Sequence, residues 1–81
     1  MGISNSQRDI LKDLGKLLKE IRISKGLTLK DVSHKIDKDP QSIHRLEQGG
    51  VNPSYLYLLE ICKGLDITMD ELIQLKNKPT Q

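Results

Sequence analysis

The sequence predicts an all-α fold, a compact arrangement of five short helices. Three observations carry that expectation. Apolar residues recur at intervals of three and four, and no segment shows the single alternation of a half-buried strand. The hydrophobic content is 36%, with no Trp, no Phe and two Tyr, so the core must be aliphatic, and leucine-rich segments lose little rotamer freedom in a helix. Glycines, prolines and capping side chains divide the 81 residues into short periodic stretches, without internal repeats or low-complexity blocks.

In the first stretch Ile10, Leu11, Leu14, Leu17, Leu18 and Ile21 fall, at about 100° per residue, within one stripe roughly 120° wide. The spacing predicts a helix from near Ser6 to Lys25, stopped by Gly26, with Ser6 and Asp9 as a weak capping pair. Thr28 opens a second helix, with Asp31 placed to help its exposed amides and Val32 and Ile36 facing the core; it ends at Asp37. Asp39 caps a third helix, whose first turn holds Pro40, where a missing N–H costs nothing; Ile43 and Leu46 are its apolar face. Gly49, Gly50 and Asn52-Pro53 form a loop. Ser54 caps a fourth helix through Leu65, with Tyr55, Leu58, Ile61, Cys62 and Leu65 on one stripe. Thr68 and Glu71 make a capping box for a fifth helix carrying Leu72 and Leu75. Residues 1–13 read as an N-terminal extension continuing into the first helix, 14–75 as the domain, and 76–81 as a flexible tail.

A net charge of +2 permits a polyanionic partner without demanding one. The single cysteine excludes an internal disulfide and fits a reducing compartment, so a cytoplasmic location is expected. No apolar run approaches the roughly 18 residues needed to span a bilayer, and no membrane partner is expected. Met1-Gly2-Ile3-Ser4-Asn5-Ser6 matches the pattern for N-myristoylation, but a polar terminus with a chance match accounts for it better. His34, His44 and Cys62 are too dispersed for a zinc site, so no metal or cofactor is expected. With no nucleophile elbow, phosphate-binding glycine loop or Cys–His pairing, the chain does not read as an enzyme.

The stretch "KDPQSIHRLEQGG" (38–50) places Gln41, His44 and Arg45 on one side of the third helix and Ile43 and Leu46 on the other. Only Asp37 and Lys38 or so separate it from the second helix, which forces a sharp corner. A helix-turn-helix corner of this kind presents its second helix to the DNA major groove, where Gln and Arg can pair with base edges. Residues 14–73 resemble the lambda-repressor-like helix-turn-helix domains, the phage repressor and Cro class. The matching details are Arg22 four residues before Gly26, the Gly26-Leu27-Thr28 entry, the small Ser33 and the ordered set Ile43, Leu46, Glu47 and Gly49, with Asn52-Pro53-Ser54 and "MDELI" beyond.

The resemblance implies a set of roles. Gln41 and Arg45 look like base readers, with His44 and Gln48 on the same face, along a recognition helix of about residues 40–48. Thr28, Lys30, Lys38, Ser42 and Asn52 look like contacts to DNA phosphates, and Arg22 with Glu47 like the family's structural ion pair. This chain departs from the family pattern at three places. Leu29 stands where members often carry a phosphate-binding Gln, Asp37 replaces the usual turn Gly, and Gly50-Val51 replaces a commonly basic loop. His34 reads as a solvated or phosphate-facing residue of the second helix, and Cys62 as a small buried hydrophobe.

The function implied is a sequence-specific transcriptional regulator that reads a near-palindromic operator in double-stranded DNA as a homodimer. Small proteins of this family include restriction–modification controllers, phage-type repressors and the antidotes of toxin–antitoxin pairs. An antitoxin gripping a toxin protein is therefore the alternative. Leu56 lies roughly 160° around the fourth helix from Leu58, and with the flanking Leu59 it makes a candidate dimer interface.

Overall fold

Local capping chemistry sets where each helix of this chain begins. A computed structural model describes residues 5–77 and contains, among these, five α-helices and no strands. They are α1 (Asn5–Ser24), α2 (Leu29–Ile36), α3 (Pro40–Glu47), α4 (Tyr55–Gly64) and α5 (Met69–Lys76). Helices α2 and α5 both start in full capping boxes. The hydroxyl of Thr28 accepts from the Asp31 N–H while the Asp31 carboxylate accepts from the Thr28 N–H, and Thr68 and Glu71 repeat the exchange. Asp39 caps α3 by accepting from the Gln41 N–H, and Ser54 caps α4 by accepting from the Tyr57 N–H.

The core is aliphatic, as the composition requires. Leu18 and Ile21 of α1, Val32 and Ile36 of α2, Ile43 and Leu46 of α3, Ile61 and Cys62 of α4, Leu65 just beyond it and Leu72 of α5 form one buried cluster. Burying each Leu or Ile side chain stabilises the fold by about 1.5–3 kcal/mol. Helix α2 packs against both α3 and α4, while α1 crosses α3 and α5 lies against α4. Ser33 is buried at 2% exposure and settles its hydroxyl by donating to the Lys30 carbonyl, so a polar side chain survives inside the α2 packing surface.

Two close approaches depend on glycine. A Cβ at Gly15 would lie 2.6 Å from the Leu46 carbonyl oxygen and closer still to that of Glu47, so α1 and the end of α3 touch backbone to backbone. Gly49 combines a φ of +76° with a position against Lys12 of α1, where a Cβ would sit 2.8 Å from that residue's Cα.

Several expectations need correction. Helix α1 already includes Ser6, which is therefore inside the helix and not its cap. Ile10, Tyr55 and Leu75 were expected on apolar stripes but are 55%, 66% and 41% exposed. Tyr55 and Leu75 lie in terminal turns and Ile10 in the second turn of α1, where a side chain can point toward the core direction yet run past the end of its neighbours. Leu11, at the rim of the same stripe, is buried. Helix α4 closes at Gly64, with Leu65 as its C-cap, and α5 runs through Lys76, the first residue of the expected tail. Residues 1–4 of the myristoylation-like pattern and residues 78–81 of that tail lie outside the described residues.

Candidate nucleic-acid interface

The corner between α2 and α3 is built from three residues and one unusual backbone angle. Asp37 adopts the left-handed conformation (φ 55°, ψ 49°), and the N–H groups of Asp37 and Lys38 both donate to the Ser33 carbonyl. Aspartate tolerates this region better than most residues, which is how the chain turns without the glycine usual at this place. Asp39 and Pro40 then start α3 at once. The result is a rigid α2–turn–α3 unit.

Helix α3 is held at its far end by a buried ion pair. Arg22 of α1 donates from Nε to Glu47 Oε2 at 2.7 Å and from Nη2 to Oε1 at 3.1 Å, and its Nη1 donates to the Leu27 carbonyl at 2.9 Å. The two side chains are only 11% and 3% exposed. A parallel two-bond contact of this kind fixes direction as well as distance, so α3 cannot rotate about its axis without breaking it.

With α3 fixed in this way, Ile43 and Leu46 point into the core and Gln41, His44, Arg45 and Gln48 are all exposed on the opposite side. Their spacing of three, four and seven residues from Gln41 puts them on one face of the helix. Gln48 is the C-cap residue and stays in helical conformation, which keeps it in line with the others.

The expected phosphate contacts fall into three places. Thr28, Lys30 and Lys38 line one open groove of about 860 Å³ beside the corner, together with His34. Here the Thr28 hydroxyl is engaged as the helix cap, accepting from the Asp31 N–H. Ser42 is half-buried and its hydroxyl lies 2.9 Å from that of Tyr57. Asn52 stands apart in the α3–α4 loop, beside Gln7, Ile10 and Leu11 at the start of α1.

Tyr57 is the residue that sequence reasoning missed. It joins Ser42 through its hydroxyl, and the Lys38 ammonium lies 5.7 Å from its ring centroid. Lys38 also approaches Glu60 at 3.7 Å, so Tyr57 and Glu60 of α4 position two of the candidate DNA contacts. Residue spacing puts Tyr55 on the apolar stripe of α4 and leaves Tyr57 unremarked. The available signal was the tyrosine's amphipathic character, apolar ring and polar tip, which suits a half-buried place at the edge of a polar surface.

Leu56 is 70% exposed on α4, whereas Leu59 is half-buried over Cys62 and Ile67 in a shallow concavity between α4 and α5. Among the described residues no group of three acidic, His or Cys side chains gathers as a metal site, and no helix is long and apolar enough to cross a membrane.

The α2–turn–α3 unit, its ion-pair anchor and the exposed polar face of α3 define a helix-turn-helix protein, and the helix-turn-helix family profile matches residues 18–72. The chain belongs to this family, in its lambda-repressor-like form. Among solved structures, it is similar to the restriction–modification controller protein C.AhdI from Aeromonas hydrophila. The two share 30% identity at a TM-score of 0.75, over 79% of this chain and 97% of that one. The wild-type controller protein C.Esp1396I is 27% identical, with a TM-score of 0.76 over 82% of this chain and 86% of its own. C.Esp1396I has also been solved as a tetramer in complex with its natural 35 base-pair operator; that protein aligns at 29% identity and a TM-score of 0.73 over 84% of this chain and 95% of that one. No curated protein matches the sequence.

Proposed function

We propose that this protein is a transcriptional regulator that binds a near-palindromic operator as a homodimer, with α3 seated in the major groove. The observation that carries the proposal is the four-residue face of α3. Gln41, His44, Arg45 and Gln48 stand together in solvent on a helix locked by the Arg22–Glu47 pair. In this reading Arg45 pairs with guanine and Gln41 with adenine, the base edges that suit their donor and acceptor patterns, while His44 and Gln48 extend the contact. Thr28, Lys30, Lys38, Ser42 and Asn52 hold the phosphates on either side and set the register. The controller proteins of similar fold support the same direction, since one of them is named in complex with its operator.

A single short helix spans only a few base pairs. Pairing two domains joins two half-sites, and the second contact then becomes effectively intramolecular. Leu56, open on α4 with Leu59 beside it, is the proposed centre of that pairing. The single thiol, Cys62, is free and buried, which suits a reducing compartment such as the cytoplasm.

The test is selection of bound sites from random duplexes by the purified chain. The expected product is a near-palindrome with half-site centres about 10 base pairs, or roughly 34 Å, apart. A chain that enriches no sequence and shows no salt-dependent affinity for duplex DNA is not a DNA-binding regulator. Protein that instead emerges from its source with a second polypeptide, and needs it, would be the antitoxin.

A further inference from the structure

The α3–α4 loop of this chain lacks basic residues: it begins Gly49-Gly50-Val51. The structure shows what lies beside it. Gly49 is pressed against the backbone of Lys12, and a small concavity joins Arg8, Leu11 and Lys12 of α1 to Gly49 and Gly50. On the other side Gly50 meets Arg45, whose Cγ would lie 3.3 Å from a Cβ there. The two glycines are thus flanked by a candidate base reader on α3 and by two cations of α1.

The sequence of α1 strengthens the pattern. At about 100° per residue, Arg8, Lys12, Lys16 and Lys19 fall within an arc roughly 80° wide, next to the line of Gly15 and Arg22 that meets α3. Asp9, Asp13 and Glu20 lie beyond this ridge, on the side away from α3. Arg8 and Lys12 are exposed, and the ion pairs among the described residues are Arg22–Glu47 and Lys38–Glu60, so neither charge is ion-paired among those residues. A side chain larger than hydrogen at Gly49 would push α1 away from the loop. The glycines therefore bring the α1 cations to where the loop has none.

We infer that Arg8 and Lys12 form a phosphate clamp at the C-terminal end of α3, taking over from α1 the role that a basic loop would play. The inference rests on the reading of α3 as the helix in the major groove. Its ligand is the sugar–phosphate strand that borders the groove, recognised by charge and without regard to base. The clamp and Lys30 lie at opposite ends of the corner-and-helix unit, so together they would grip the backbone on both sides of the bases read by Gln41 and Arg45.

The experiment compares the full chain with the double variant Arg8→Gln/Lys12→Gln, titrated at several salt concentrations against the selected operator and against a random duplex. Each phosphate contact contributes about 0.9 to the slope of log affinity on log salt, so loss of both should reduce the slope by about 1.8 per protomer, or about 3.6 for the homodimer. Between 50 and 200 mM salt, this amounts to about twelvefold per protomer, so the wild-type homodimer should lose about 150-fold more affinity than the variant. The ratio of operator to random affinity should not move. Gln is a good helix former at these exposed positions, so the fold should be retained, which circular dichroism checks. The charge-preserving exchange Arg8→Lys/Lys12→Arg should keep the wild-type slope, and Lys63→Gln, in the last turn of α4, should leave it unchanged. A double variant with the wild-type slope, or a charge-preserving variant that loses it equally, overturns the clamp while leaving the reading of α3 intact. Failure of the wild-type chain to bind either duplex overturns both.

Discussion

Gly15 of α1 lies directly against the backbone carbonyl of Glu47, the last residue of α3. Glycine in a helix interior is less stable than alanine by about 1 kcal/mol, so the usual expectation is that Gly15→Ala stabilises the protein. Here the sign should reverse. The added methyl would meet the Leu46 carbonyl oxygen at 2.6 Å, and backbone on both sides cannot yield cheaply. Denaturant unfolding should show a net loss of about 1–3 kcal/mol, the range for forced overpacking.

The same crossing carries the Arg22–Glu47 pair. Glu47→Ala leaves a buried guanidinium without its carboxylate, and the expected cost is on the order of 3 kcal/mol. Arg22→Met combined with Glu47→Leu removes both charges and should be much milder. Urea melts of the two singles and the double close the cycle. Two silent single variants would mean that the pair contributes nothing to holding α3.

Base reading and phosphate contact should separate cleanly. Arg45→Ala or Gln41→Ala should cost about 1–3 kcal/mol on the selected operator and relax base preference at one position. Lys30→Ala should weaken operator and random duplex alike and flatten the salt dependence. Competition binding on single-substituted operators measures both. Equal losses on specific and random DNA for Arg45→Ala would remove it from the reading face.

Stability should also depend on pH through the α2 capping box. The Thr28 backbone N–H and hydroxyl beside Asp31 hold its carboxyl below the usual value of 3.8, helped by the nearby His34 and Lys35. A carboxylate depressed in the folded state stabilises fully above its unfolded pKa, and that contribution fades as pH falls through the lower folded value. Asp31→Asn should therefore melt earlier than wild type at neutral pH, with the gap closing in acid. Thermal melts across the carboxylate range check the sign.

For assembly the informative change is Leu56→Glu. Leu56 is open in the single chain, so the fold should tolerate the charge, while a two-fold interface centred there would bring like charges together. Sedimentation should give a folded monomer, and operator binding should lose its cooperativity. Wild-type protein that remains monomeric at high micromolar concentration on its own operator would refute the homodimer.

Much of this molecule was legible one segment at a time. The caps Thr28, Asp39, Ser54 and Thr68 were readable because capping is a contact between a side chain and an amide two or three residues away. The apolar faces of α2 and α3 were readable for a similar reason: helical period alone sets the direction of Val32, Ile36, Ile43 and Leu46, and all four are buried. The pairing of Arg22 with Glu47 came from the family resemblance, since nothing local links residues 25 positions apart.

Tertiary structure decided what direction alone leaves open. Ile10, Tyr55 and Leu75 point with their stripes but lie toward helix ends and are exposed, because periodicity gives an angle and says nothing of where the facing helix ends. Tyr57 of α4 reaches Ser42 of α3 and Lys38 of the α2–α3 turn, and Lys12 comes to Gly49 where Gly15 lets α1 descend onto α3. These contacts depend on how closely two backbones approach, a distance set by side chains on both. The residues of the α3 face could thus be named from the sequence, whereas the groups that hold that face and flank it became visible only in three dimensions.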